Sequence, residues 1–287
     1  MPNNHEIVVT ENLGSACGAV TYWSLSGTCD SDQLAAAWEA AGLNKKLLPA
    51  LPSPSVAMRR ALGELSERRR LVRPMAGHRG LALVRENASE EDLAHDIELR
   101  AKVNAVGRLQ VSPPDHPLAE QLRAAYGRHL NELSHQDVSG WLCRMVHEVH
   151  ATPLRESGGF YFVPPGEQLE TWRKMTNALG SCSAHQVFEL PAMHSEQAVR
   201  AVLAAVTREA AAEAAAMEAE LAAEESLGRR ALQTRERRCQ AMVSKLGAYE
   251  GLLGGMLDDL KDRLGDLQAQ IGAAALAAMP DDEEVAS

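Results

Sequence analysis

The chain has 287 residues, a formal net charge of −10 and only 4% aromatic side chains. That length suits one or two domains. Its acidity argues against a protein that wraps nucleic acid over its whole surface, and no stretch approaches the roughly 20 consecutive apolar residues that cross a bilayer.

The five cysteines, Cys17, Cys29, Cys143, Cys182 and Cys239, are scattered and form no CxxC pair. This pattern predicts a reduced, cytoplasmic setting. The opening MPNNHEIVVTENLG lacks the basic start and apolar run of a secretion signal.

Along the chain, Val20 to Leu25 reads as a short strand. Asp30 or Ser31 can cap a helix running through Ala41, with Leu34 and Trp38 one turn apart. After the proline-bounded LLPALPSPS, Ser53 and Pro54 begin a helix that should run to about Arg69, because proline at the first helical position sacrifices no hydrogen bond. Leu71 to Met75 and Leu81 to Arg85 flank AGHRG and predict a hairpin.

From Ile97 to Val111 every odd position is apolar or glycine, and the even ones are polar or charged except Val106. Period-two alternation means a strand with one wet face, so the sheet should be antiparallel. A run of 15 residues is too long for one strand and predicts a bend or turn near Asn104 to Gly107. Helices follow at about Pro117 to Leu133 and Val138 to Val149, then a GFYFV strand at Gly159 to Val163, a helix from Gly166 to Leu179, and a strand at Gln186 to Leu190.

No proline occurs between Pro191 and Pro280, and ten of the eleven aromatic residues precede Ser195. The core is therefore expected in residues 1–190, and residues 195–279 are expected to form a helical arm or helical hairpin. Residues 280–287, with Asp281, Asp282, Glu283 and Glu284, read as an acidic tail. Ser195 caps the arm, and Val199, Leu203, Val206, Ala210, Ala214, Met217 and Leu221 recur at three- and four-residue steps.

A second stripe runs through Leu246, Tyr249, Leu253, Met256, Leu260, Leu264, Leu267 and Ile271, with one interruption of its seven-residue repeat. Gly247, Gly251, Gly254 and Gly255 weaken the helix beside it. The spacing predicts one long helix from about Ser195 to about Ala248 and a second ending near Ala278. The fold class is thus α+β: a small, mostly antiparallel sheet with helices, followed by a long coiled-coil-like arm.

The helix-pairing seam of this arm is Val199, Leu203, Val206, Leu221, Leu246, Leu253, Leu260, Leu264, Leu267 and Ile271. Such a face must be covered by another helix, in the same chain or in a partner.

Four constellations could carry chemistry. Cys143, His147 and His150 share a helix face at i, i+4 and i+7 and are metal-favoured ligand types, yet they point away from the apolar stripe and lack an evident fourth ligand. In RESGGFYFVPPG, Arg155 could hold an anion where paired glycines let a backbone approach, or the segment is simply a tight turn feeding a core strand. Residues 53–85 carry eight arginines, Arg59, Arg60, Arg68, Arg69, Arg70, Arg73, Arg79 and Arg85, against Glu64 and Glu67. This patch could grip phosphates or an acidic partner, but it has no interleaved aromatic rings for stacking bases. The remaining carboxylates and hydroxyls form no GxSxG elbow or other local catalytic signature.

YWSLSG near the start, the GGFYFVP strand and the KLGAYEGLLG segment of the arm together resemble an uncharacterised family encoded by tailed bacteriophages and other mobile elements. The likeness covers most of the chain. It implies no activity, cofactor or catalytic residue.

The leading expectation is a non-enzymatic assembly protein whose arm pairs with a second copy or with a helical protein partner, away from any membrane. The alternative is a nucleic-acid-associated protein using the arginine patch. The third is a metal-dependent enzyme at Cys143, His147 and His150.

Overall fold

The computed structural model describes residues 15–75, 80–88, 93–223 and 229–277. In chain order the elements are β1 (Ala16–Ser24), β2 (Thr28–Asp30), α1 (Ser31–Ala40), α2 (Pro54–Glu64), β3 (Arg70–Pro74), β4 (Leu81–Ala88), β5 (Leu93–Val103), β6 (Leu109–Ser112), α3 (Ala119–Asn131), β7 (Glu132–Ser134), α4 (His135–Glu148), β8 (Thr152–Pro153), β9 (Tyr161–Val163), α5 (Glu167–Cys182), β10 (Gln186–Met193), α6 (Glu196–Ala223), α7 (Arg229–Ala248), α8 (Glu250–Leu253) and α9 (Asp258–Ala277). The fold is α+β with antiparallel sheets. No described helix is long and apolar enough to cross a membrane.

The chain divides into two compact units. One comprises residues 1–23, 142–174 and 187–287; the other comprises residues 24–141 and 175–186.

In the first unit a four-stranded sheet has the order β10-β1-β9-β8. β1 and β9 run antiparallel, with Val20 opposite Phe162. Gly18 sits at φ +147°, where a Cβ would overlap the Phe162 ring and stand 2.7 Å from the carbonyl oxygen of Val163. Only glycine fits there without a shift. On the sheet's other face, Trp172 of α5 donates to Thr21, which donates to the Phe188 carbonyl at 3.0 Å.

The C-terminal helices of this unit pack on one another and on the sheet. Ser195 caps α6 through the Ala198 amide, as its position before the apolar stripe predicts. The single long helix expected from Ser195 to Ala248 does not form. Arg238 of α7 bonds Glu213 of α6 at 2.6 Å, although 25 residues of straight helix would separate them by roughly 37 Å; the chain must reverse between them. Arg263 of α9 reaches Glu218 in the same way, at 2.7 Å.

The glycine cluster ends α7 and α8. Gly254 takes φ +52° and a 3-10 turn carries the chain into α9. Residues 224–228 and the acidic tail at 280–287 lie outside the described residues.

Phe162 and Cys17 belong to the same buried cluster as α6, α7 and α9, so the expected break near residue 190 does not separate sheet from helices. The two stripes on the C-terminal helices are sides of one core.

In the second unit, Asp30 caps α1 by accepting from the amides of Asp32 and Gln33, and Ser53 caps α2 with Pro54 in its first turn. Trp38 and Trp141 are fully buried against each other, 5.4 Å between ring centroids. Their indole N–H groups are satisfied by the carbonyls of Asn44 and Leu47.

The antiparallel sheet β3-β4-β5-β6 lays one face on α2 and α3, burying Leu83, Leu99, Ala101, Ala57, Leu62 and Leu122. The long alternating run breaks into β5 and β6 at Asn104 to Gly107, as its length predicts. The Asn104 side chain accepts from the amides of Val106 and Arg108, and Gly107 takes φ +79°.

Candidate binding cleft

The face of the β3–β6 sheet turned away from α2 and α3 carries a cleft of about 950 Å³. Its position follows from the pleat. Arg73, Ala82, Arg100 and Ser112 lie opposite one another across β3, β4, β5 and β6. Side chains opposite one another share a face, so all four lie on the side away from the core residues Leu83, Leu99 and Ala101.

A register shift between Leu83 and Val84 modifies this pattern. Leu83 pairs Leu99 but Val84 pairs Ile97, which leaves Glu98 as an extra residue in β5. The bulge turns Ile97 out of the core, where the alternation had placed it, and into the cleft at 50% exposure. The lining is therefore an apolar floor of Ala82, Val84 and Ile97 with cations at Arg73, Arg100 and Lys102. Among the described residues no aspartate or glutamate lines it.

The expected arginine patch is not one surface. Helix α2 stops at Glu64 rather than near Arg69, because the amides of Leu65 and Ser66 close back on Leu62 and Gly63. Arg68 and Arg69 therefore lie exposed in a turn.

Arg70 and Arg85 both bond Glu98 and, with Glu67, Arg68 and Arg69, line a smaller hollow of about 360 Å³. The paired arginines hold the Glu98 carboxyl below its usual range, against the opposing effect of burial. Arg60 is spent on Asp137 at 2.9 Å and Ser134 at 3.2 Å. Arg59 is exposed on α2, and Arg79 lies outside the described residues. Of the described arginines of the patch, Arg73 joins the cleft, 3.8 Å from Glu86.

Arg100 and Lys102 were legible in the sequence as wet positions of the alternating run. Nothing in the linear order connected them with Arg73; antiparallel pairing does so.

The proposed metal ligands do not converge. Helix α4 ends at Glu148, and His150 adopts φ +54°, so it leaves the helix face shared by Cys143 and His147. His150 instead meets Ser244 at 3.3 Å, Cys143 lies 4.0 Å from the Tyr161 hydroxyl, and His147 is exposed. Among the described residues no group of three or more histidines, cysteines, aspartates or glutamates could hold a metal.

Arg155 lies 5.2 Å over the Phe160 ring. The segment around it forms a tight turn, with Phe160 donating to Gly158 and Leu154 donating to Phe160.

The helix-pairing seam is covered by the chain itself. Val199, Val206, Leu246, Leu253, Leu264, Leu267 and Ile271 are buried in one cluster, with Leu203, Leu221 and Leu260 packed against it. Seven of the ten seam residues are thus buried inside this chain, and Leu203, Leu221 and Leu260 are half-buried.

Within this core the sequence singled out Tyr249 as a member of the second stripe but not the buried cation Lys245. Lys245 of α7 and Tyr249, four residues on and just past the last residue of that helix, reach under the β8–β9 segment. Lys245 donates to the Ala151 carbonyl at 2.7 Å, and the Tyr249 hydroxyl lies 2.9 Å from Thr152 and 3.0 Å from the His150 carbonyl. Burial pushes the Tyr249 hydroxyl far above the usual tyrosine value. Its i, i+4 spacing beside an apolar stripe was the available signal.

A family model described as a family of unknown function (DUF6744) matches residues 16–281, and the chain belongs to that family. No curated protein and no solved structure matches it.

Proposed function

We propose that this DUF6744 member is a non-enzymatic protein-interaction module that holds an acidic, amphipathic segment of a partner protein on the open face of its β3–β6 sheet. The observation that carries the reading is the cleft's composition: an apolar floor beside Arg73, Arg100 and Lys102, with no carboxylate among the described lining residues. An apolar floor rewards burial of leucine-like side chains, while the three cations favour flanking carboxylates and speed their approach. The absence of aromatic rings from the described lining residues disfavours stacked bases as the occupant. Partner binding is retained from the sequence reading, but its place moves from the helical arm to the sheet.

The test is fluorescence anisotropy with a labelled helical peptide carrying one leucine face and glutamate flanks. Salt-sensitive binding that weakens at least tenfold in R100E/K102E is expected. No binding, or equal binding by the variant, would remove the proposal.

A second reading, association with nucleic acid, is favoured by the exposed Arg68 and Arg69 beside the smaller hollow. In the same assay it requires labelled DNA or RNA to bind with a steep salt dependence and to be released by R68A/R69A. The genomic setting in a tailed phage or other mobile element is part of the proposal and rests on the segment likeness. Neighbouring genes with no phage or transfer functions would withdraw it.

A further inference from the structure

The end of α5 and the strand β2 meet at a pair of thiols. Cys29 lies in β2 and forms a β-bridge with Ser183, the residue that follows Cys182. The two sulfurs are 3.7 Å apart, although the residues are 153 positions apart in sequence. A disulfide needs the sulfurs at about 2.0 Å, so closure asks for an approach of under 2 Å from the 3.7 Å separation. The other thiols are placed differently: Cys17 and Cys239 are buried in the helical core of the first unit, and Cys143 faces Tyr161.

We infer that Cys29 and Cys182 form a reversible oxidation site, a dithiol that closes to an intramolecular disulfide by exchange with a small-molecule disulfide such as oxidised glutathione. Cys182 is half-buried and Cys29 is fully buried, so Cys182 meets the oxidant first. Its thiol loses a proton to solvent and the thiolate attacks one glutathione sulfur. The glutathione S–S bond breaks, a mixed disulfide forms at Cys182, and one glutathione leaves as thiolate and takes up a proton. Cys29 then loses its proton and attacks the Cys182 sulfur, releasing the second glutathione. Two electrons pass from the protein thiols to the glutathione disulfide, and two glutathione thiols are the products.

Burial governs the rate. It raises the Cys182 thiol, and, with the neighbouring Cys182, pushes the Cys29 thiol up to about 12. Thiolate is therefore scarce at neutral pH and the exchange is slow, quickening as pH rises.

The closed pair would staple β2 to the end of α5. In the reduced form that junction is held by the Cys29–Ser183 bridge and by the hydrogen bonds from Ser26 to His185 and Ala184.

The experiment incubates the folded full-length chain with oxidised glutathione, blocks remaining thiols, and maps peptides by mass spectrometry beside a thermal melt. A Cys29–Cys182 peptide lacking two hydrogens is expected, removed again by a dithiol reductant, with a higher melting temperature in the oxidised form. C29S should stop at a stable glutathione adduct on Cys182, and C182S should acquire no adduct at Cys29. Both thiols remaining free in the folded protein after prolonged exposure at pH 8.5, or a disulfide linking any other pair, would overturn the inference. If a serine variant fails to fold, the wild-type peptide map alone decides.

Discussion

Both carboxylate oxygens of Glu209 lie 2.7 Å from the ammonium of Lys245, in a site where the lysine side chain keeps 7% of its exposure and the glutamate 20%. This pair joins α6 to α7 beneath the sheet, and the Ala151 carbonyl accepts the lysine's third hydrogen bond. Burial lowers the Lys245 pKa even though Glu209 opposes that shift.

Removing one partner should therefore cost more than the pair itself contributes. Lys245→Met leaves the Glu209 carboxylate without its cation in a shielded site, and a loss of about 3 kcal/mol is expected. The double variant K245M/E209Q should be more stable than the sum of the two single losses predicts. Urea denaturation gives all the values; an unchanged midpoint for K245M would show that the pair carries nothing.

The covered seam makes a prediction about concentration. Leu264 is buried in the core formed by α6, α7 and α9, so Leu264→Ala should lose about 2–5 kcal/mol through the cavity it leaves. Because the covering helices belong to the same chain, the melting temperatures of wild type and variant should be independent of protein concentration. A melting temperature that climbs with concentration would mean that stability comes from association.

Gly18 is fixed by the close approach of β9. Gly18→Ala places a methyl group against the Phe162 ring and the Val163 carbonyl at a backbone angle that L-residues rarely adopt. A loss of about 1–3 kcal/mol is expected, read from the shift in the thermal melt. A stabilised variant would instead place Gly18 outside any constraint.

The Arg60–Asp137 pair predicts the acid response. Burial tends to raise the Asp137 carboxyl, but hydrogen bonds from Arg60 and Ser134 outweigh it and the net shift is downward. A depressed carboxylate contributes stability that is present above its unfolded value of about 4 and disappears as pH falls through the folded value. Arg60→Ala should cost about 1–2 kcal/mol at pH 7 and should flatten the dependence between pH 5 and the folded pKa. Equal slopes for both proteins in a pH series of urea melts would rule the pair out as a source of acid sensitivity.

The N-caps at Asp30, Ser53 and Ser195, the turn at Asn104 to Gly107 and the apolar faces of the helices were all legible in the sequence, because each is set by a few neighbouring residues. The open-face cations Arg100 and Lys102 were visible as wet positions of an alternating run. Joining them to Arg73 needed the strand register, and Ile97 was assigned to the wrong face because a bulge leaves no mark in a hydrophobic pattern. The early stop of α2, which divides the arginine patch, depends on a backbone turn at Leu65 and Ser66 that an apolar spacing does not encode.

The sequence by itself determined that the stretches within 196–223 and 229–277 form helices with an apolar face that water will not cover, since period and composition are local properties. Only the tertiary structure decided what covers that face. The choice between a partner's helix and the chain's own α6, α7 and α9 turns on chain reversals and on contacts such as Arg238 with Glu213, whose ends are far apart in sequence. Side-chain spacing fixes which residues must be buried; long-range packing alone fixes against what.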